Sequence, residues 1–250
     1  MGSRGLVSIG VIKNSTAPAT ITANSSSADI TNHFKNTYGL NIDQKYFANG
    51  GDPALLLDSM AGLQRITDEL GIDTMNELKL TVKLSSMPSD VYARTSLLSH
   101  TIELNSKGYQ SYDKVDNVWQ SDVKNNFHPT NTTVGGALIH ELGHNLDYLV
   151  NRRNNPGNIF NQKLAHSNSL YAKAIVQQAF NDLKTTHPGL YETEKSARLG
   201  ISKYADYRQN NKIKYTETIA EAVADYAQNG NNANPMSVAI WRGIKMALGK

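Results

Sequence analysis

The sequence of 250 residues contains no cysteine. This excludes disulfide bonds and thiolate metal sites, and it leaves His, Asp and Glu as the side chains that could bind a metal ion. The chain also lacks an apolar run of the roughly 20 residues that a membrane-spanning helix needs. We therefore expect a protein without a membrane span.

The chain also lacks a large excess of charge of either sign. The chain has 25 basic and 22 acidic residues, which gives a formal net charge of +3, and its basic residues are scattered. Proteins that bind nucleic acid usually carry a concentrated basic surface. We therefore predict no nucleic-acid partner, and the sequence does not indicate an oligomeric state.

The composition changes near residue 33. Residues 13–32 are rich in Ser, Thr, Asn and Ala, which is typical of a linker. We predict a flexible leader over residues 1–33 and one domain over residues 34–250, which is long enough for a sizeable core.

Cap residues and apolar spacing predict the secondary structure. Asp52 followed by Pro53 is a typical helix start, and Gly71 is the expected stop. The other predicted elements are a strand over 78–84, a strand over 98–104, an irregular stretch over 109–133, a helix from 134 past 149, and helices over about 168–184, 216–228 and 235–248. This order of elements predicts an α+β fold, with a small sheet and a mainly helical C-terminal part.

The segment His140-Glu141-Leu142-Gly143-His144 carries the strongest chemical signal. Histidines four residues apart on a helix share one face, with Cβ atoms about 5–6 Å apart. Both imidazoles can then bind one zinc ion, and Glu141 can act as a general base toward a water molecule. We expect Leu142 to face the core and Gly143 to let a strand pass close to the helix.

A catalytic zinc site needs a third protein ligand and an open position for water. The largely apolar helix around 217–222 contains Glu217 and Glu221, and acidic residues on such a helix need a reason. We predict that Glu217 is the ligand and that Glu221, one turn later, fixes the tautomer of a ligand histidine. Asp147 is the alternative ligand. Weaker alternatives are His166 and His187.

These two helices resemble those of the gluzincin peptidases of the anthrax lethal factor and Pro-Pro endopeptidase type. The family combines an HExxH helix with a later ExxAE helix, which match 140–144 and 217–221 here, and the resemblance covers roughly residues 75–230. It implies a zincin-like fold, a zinc cofactor and cleavage of peptide bonds. Similar segments occur in phage-encoded domains, so we expect a secreted or phage-associated protein rather than a membrane-embedded one.

The resemblance also implies an active-site tyrosine. Ile201-Ser202-Lys203-Tyr204-Ala205 is similar to the family segment that carries it, which makes Tyr204 the candidate for a hydrogen-bond donor to the oxyanion. The distance from Tyr204 to Glu217 is longer than in the family, because residues 206–212 resemble an insertion. Tyr207 and Tyr215 therefore remain alternatives.

Two functional hypotheses follow. The first is a zinc endopeptidase acting on a protein or peptide, with the strand over 98–104 forming the edge of the cleft and pairing with an extended substrate. The second is a structural or binding module that keeps the fold without turnover, for example in a phage particle. Glu141 favours the enzyme, because a purely structural zinc site needs no general base.

Overall fold

The structure of the chain is a computed structural model that describes residues 20–155, 157 and 159–250. The α+β class is confirmed, with helices predominating over a small mixed sheet. The helices are α1 Ser27–Tyr38, α2 Lys45–Ala48, α3 Pro53–Leu57, α4 Met60–Leu70, α5 Ile72–Leu78, α6 Tyr112–Lys124, α7 Gly136–Asn154, α8 Ile159–Ser167, α9 Leu170–Thr186, α10 Glu194–Ile201, α11 Tyr215–Asn229 and α12 Pro235–Ala247. The strands are β1 Asn41–Ile42, β2 Thr81–Ser85, β3 Ala93–Ser96, β4 Thr101–Asn105, β5 Arg208–Gln209 and β6 Lys212–Ile213. Across these described segments, no helix is long and apolar enough to cross a bilayer.

The main sheet has four strands in the order β1-β2-β4-β3. Strands β1, β2 and β4 are parallel, and β3 runs antiparallel to β4. The strand predicted over 98–104 is β4, but it lies inside the sheet with all five of its residues buried. The expectation that it forms the edge of the cleft is therefore wrong. The edge strand next to β4 is β3, because β4 pairs with β2 on one side and with β3 on the other; β1 forms the opposite edge of the sheet.

The predicted boundary between leader and domain falls inside a helix. Helix α1 begins at Ser27, where the Ser26 Oγ accepts a hydrogen bond from the Asp29 N–H. Its apolar face carries Ile30, Phe34 and Tyr38, all buried. This packing places residues 27–33 within the domain. Residues 1–19, which make up most of the predicted leader, lie outside the described residues.

Three further predictions need correction. The helix expected over 53–70 is divided into α3 and α4 by Asp58 and Ser59, although Asp52 caps it and Gly71 ends it as predicted. The strand expected from Leu78 begins only at Thr81, because Leu78 ends α5. The irregular stretch over 109–133 contains α6, whose buried residues are only Val115 and Trp119.

The C-terminal helices follow the predictions more closely. Helices α9, α11 and α12 lie where helices were expected, and the Asn234 side chain caps α12 ahead of Pro235. Helices α8 and α10 were not predicted. Helix α11 crosses α7 closely, since a Cβ atom placed on Gly143 would lie 2.8 Å from the Ala220 Cα. A helix, rather than the expected strand, therefore uses the space at Gly143.

Candidate metal centre

Helix α7 presents three of the predicted residues toward one face. His140 and Glu141 are buried, and the His140 and His144 rings meet edge to face with centroids 4.9 Å apart. Leu142 and Leu146 point into the core and are fully buried, as the helical spacing predicts. The core therefore fixes the rotation of α7, and that rotation places the two imidazoles beside α11.

Helix α11 brings Glu217 against both histidines. The Glu217 Oε2 lies 3.3 Å from the His140 Nε2 and 3.3 Å from the His144 Nε2. Two atoms bound tetrahedrally to one ion at about 2.05 Å lie roughly 3.3 Å apart. The candidate ligand atoms of all three residues lie within 4.8 Å of one another. This group could hold a metal ion, and its spacing fits three ligands of a tetrahedral site.

Glu221 lies one turn later on α11 and joins the surrounding segments. Its Oε1 accepts hydrogen bonds from the His140 Nδ1, at 2.8 Å, and the His128 Nδ1, at 3.3 Å. Its Oε2 accepts a hydrogen bond from the Ser202 Oγ at 2.7 Å. In the neutral ring, donation from the His140 Nδ1 leaves the lone pair of the Nε2 available to a metal ion. This is the position in which Glu221 was predicted to act.

The carboxylates and imidazoles perturb one another's pKa values. Burial works to raise the pKa of Glu221, but His128 and His140 lower it to about 2. Burial likewise opposes ionisation of Glu217, yet His144 and His140 hold its pKa well below the ordinary value. Burial favours neutral histidines, but Glu217 and Glu221 raise the pKa of His140, and Glu217 raises that of His144. The four groups therefore stabilise each other's charged forms.

Glu141 stands apart from this group. It is excluded from the three candidate ligands, and its carboxylate accepts a hydrogen bond from the Thr95 backbone N–H on β3. Burial raises the pKa of Glu141, and the positive charge of His144 and His140 opposes this. A buried carboxylate with a raised pKa beside a metal group is suited to accept a proton.

Tyr204 is the one of the three candidate tyrosines that contacts a candidate ligand. Its ring centroid lies 5.7 Å from that of His140, and burial followed by the charge of Glu217 raises its pKa. Tyr204 begins a 3-10 turn, Tyr204–Asp206, in which the Ala205 N–H donates a hydrogen bond to the Ser202 Oγ. Tyr207 is 41% exposed, and the Tyr215 hydroxyl donates to Glu194 on α10.

The residues that were expected to be an insertion, 206–212, lie mostly in a hairpin. Strands β5 and β6 pair antiparallel, and Asn210 and Asn211 at its tip have positive φ values of 51° and 62°. Asn tolerates this left-handed conformation better than most residues. The hairpin therefore connects the turn at Tyr204 to α11, while the Tyr204 ring stays beside His140.

The alternative ligands lie elsewhere. The Asp147 Oδ2 lies 3.0 Å from the His166 Nδ1, so this pair links α7 to α8 away from the candidate ligands. His187 lies at the exposed end of α9, beside the Thr186 hydroxyl. None of the three joins the group formed by His140, His144 and Glu217.

His128 and Ser202 were not predicted to belong to the site. His128 stacks on Trp119 with ring centroids 4.0 Å apart, and its Nε2 is buried with no hydrogen-bond partner among the described residues. Both residues lie outside regular elements, where no periodicity marks a face. The sequence signals were an isolated histidine in a stretch expected to be irregular and, for Ser202, its place two residues before Tyr204 in the segment 201–205.

In comparisons with protein families, curated proteins and solved structures, nothing matches this chain.

Proposed function

We propose that the protein is a zinc-dependent endopeptidase of the gluzincin type, with a zincin-like fold. The observation that carries the proposal is the convergence of His140, His144 and Glu217 from two helices, with Glu141 beside them. Two histidines and one carboxylate are a common ligand set of catalytic zinc in peptidases. The expected occurrence outside the cell or in a phage particle belongs to the same proposal.

Each side chain has a defined task in peptide hydrolysis. When bound, zinc polarises the scissile carbonyl and lowers the pKa of water. The Glu141 carboxylate accepts a proton from the attacking water and delivers it to the departing amine. Its raised pKa suits both steps, because it can hold the proton between them.

Tyr204 complements this proton transfer. Burial keeps its hydroxyl protonated, since it raises the pKa of the phenol. The protonated hydroxyl can donate a hydrogen bond to the oxyanion that forms during attack. Glu221 acts through His140, because its hydrogen bond fixes the tautomer that leaves the Nε2 free.

The edge strand β3 supports a peptide as the substrate. The Asn105 N–H donates to the Tyr92 carbonyl across the antiparallel pair, so in the alternating pattern Ala93 and Thr95 turn their backbone groups outward. The Thr95 Oγ1 accepts a hydrogen bond from the Asn145 Nδ2 on α7 at 2.7 Å, and the Thr95 backbone works to lower the pKa of Glu141, so this outer edge lies beside α7. An extended peptide could pair with the remaining outward groups beside Glu141.

The test compares wild-type protein with Glu141→Gln on unfolded casein and a peptide library, with and without a chelator. We expect about one zinc per chain in both proteins, and turnover only in the wild type without chelator. A Glu141→Gln variant that cleaves at the wild-type rate would exclude Glu141 as the base. Zinc-loaded wild type without turnover on any peptide would favour the binding module instead.

A further inference from the structure

A cavity of about 180 Å³ adjoins the candidate metal centre. It lies between α6 and the segment 90–93, and its walls include Ala137, His140 and Glu141 of α7. A peptide substrate whose scissile bond lies beside Glu141 would therefore have that bond at the entrance of this cavity. One neighbouring side chain of the same peptide could extend into it.

Aromatic and imidazole rings make up half of the side chains that line the cavity. Trp119 meets Tyr92 edge to face with centroids 5.2 Å apart and stacks on His128. Phe127 lies 5.1 Å from His128 and 5.2 Å from Tyr204, measured between ring centroids, and so continues the same cluster. Aromatic rings pack favourably either stacked or edge to face. An aromatic side chain of a substrate could therefore pack against these rings.

The electrostatic character of the wall excludes acidic side chains. The described residues that line the cavity include Asp90, Asp122 and Glu141 but no Lys or Arg. One oxygen of Asp122 already accepts a hydrogen bond from the Tyr92 hydroxyl at 2.7 Å. The buried His128 Nε2 still lacks a partner among the described residues, and such atoms in native proteins usually find one in water or a ligand.

We infer that this cavity is the subsite for one aromatic side chain of the substrate, next to the scissile bond. The inference rests on the proposed peptidase function. Its size agrees, because an apolar cavity of about 150 Å³ accommodates benzene. The cavity here is somewhat larger, at about 180 Å³, and would hold a phenyl or phenol group.

The experiment measures binding rather than turnover. Zinc-loaded Glu141→Gln protein is titrated calorimetrically with capped alanine pentapeptides that differ only at the central residue. Burial of a ring predicts that Phe, Tyr or Trp at this position binds about tenfold more tightly than Ala. Equal affinity for Ala and the aromatics, or tightest binding of Lys, Arg, Asp or Glu, would overturn the inference.

Phe127 offers a direct test of the aromatic wall. It is 41% exposed, so Phe127→Ala should fold normally, and it should weaken binding of the aromatic peptides by about 2- to 10-fold without affecting the Ala peptide. Leu190→Ala is the matched control, because Leu190 is similarly exposed, at 44%, and does not line this cavity. An unchanged aromatic preference in Phe127→Ala would contradict the assignment of this wall.

Cleavage of the same peptides by the wild type separates the two proposals. Cleavage without an aromatic preference would overturn the subsite and leave the peptidase. Tight aromatic binding without cleavage would overturn the peptidase, and the cavity would remain only as a binding pocket for an aromatic side chain. Neither binding nor cleavage would overturn both.

Discussion

Replacing Glu217 and Asp147 in turn gives the sharpest test of the metal centre. Asp147 lies on the helix that carries both histidines and Glu217 lies on α11, and the surroundings of the two carboxylates differ. The Glu217 Oε2 lies 3.3 Å from the Nε2 atoms of both histidines. The Asp147 Oδ2 lies 3.0 Å from the His166 Nδ1, on the side facing α8. Glu217→Ala should therefore remove a ligand, whereas Asp147→Ala should break a structural contact.

The expected magnitudes are well separated. Loss of a group that only orients a ligand typically costs about 10- to 100-fold in metal affinity. Loss of one of three protein ligands should cost more, so we expect Glu217→Ala to weaken zinc binding more than about 100-fold. Asp147→Ala removes a buried carboxylate that accepts a hydrogen bond from the Asn151 side chain and lies beside His166, which should cost about 1–3 kcal/mol of unfolding free energy. That corresponds to a fall in Tm of a few degrees for a chain of about 250 residues.

Two measurements on the same three proteins decide the matter. Chelator competition gives the zinc affinity of wild type, Glu217→Ala and Asp147→Ala, and thermal unfolding gives their stability. We expect the affinity loss in the first variant and the stability loss in the second. Tight zinc binding by Glu217→Ala together with loss of zinc in Asp147→Ala would refute the ligand assignment, and the resemblance to gluzincins would fall with it.

The remaining predictions concern the orienting carboxylate, the tyrosine and pH. Glu221→Ala should reduce zinc affinity by about 10- to 100-fold, measured by chelator competition, and wild-type affinity would contradict its role in orienting His140. Tyr204→Phe should keep zinc but lower kcat by about 100-fold or more on a cleaved peptide, whereas the control Tyr207→Phe should match the wild type. Burial favours neutral histidines, but the neighbouring carboxylates raise the pKa values of His140 and His144, so zinc must displace protons. Zinc affinity should therefore rise with pH, and calorimetry in two buffers of different ionisation enthalpy should detect proton release. Binding without release would contradict the protonated state of the free site.

The parts of the fold that could be predicted depend on local chemistry. Asp52-Pro53 and Asn234-Pro235 each combine a cap with a preorganised first residue, and both start helices as expected. Helix α1 was missed because its three buried residues, Ile30, Phe34 and Tyr38, are separated by polar ones. They recur every four residues, which is a helical period, but the composition around them was typical of a linker.

Elements held by tertiary packing were harder to predict. Helix α6 buries only Val115 and Trp119, which is too few for a clear amphipathic pattern. The end of α5 at Leu78 was taken for a strand, because Leu78 continues the alternation of Leu80 and Val82. The chain reverses there through Lys79, which has a positive φ of 53°. Only the packed structure distinguishes the end of this helix from the start of a strand.

In the candidate site, too, the residues fixed by local spacing could be predicted and those placed by tertiary packing could not. The spacing of His140 and His144 is contained in one helix, so the sequence alone predicts their shared face. Glu217 could be predicted because an acidic residue in an apolar helix is unusual. His128 and Ser202 reach Glu221 from loops, and their positions depend on how α6 and α10 pack. A single sequence does not contain that information in any local pattern.

The close crossing at Gly143 has a consequence for ion selectivity. Gly143 lies between the two histidines, and Ala220, which it contacts, lies between Glu217 and Glu221. The separation of the two helices is thus set within the same turn of each helix that carries the candidate ligands. An added methyl group would act as a spacer between the helices and enlarge the opening that an ion must fill. The size of ion that this candidate centre would accept is therefore governed in part by a residue that has no side chain and would not touch the ion.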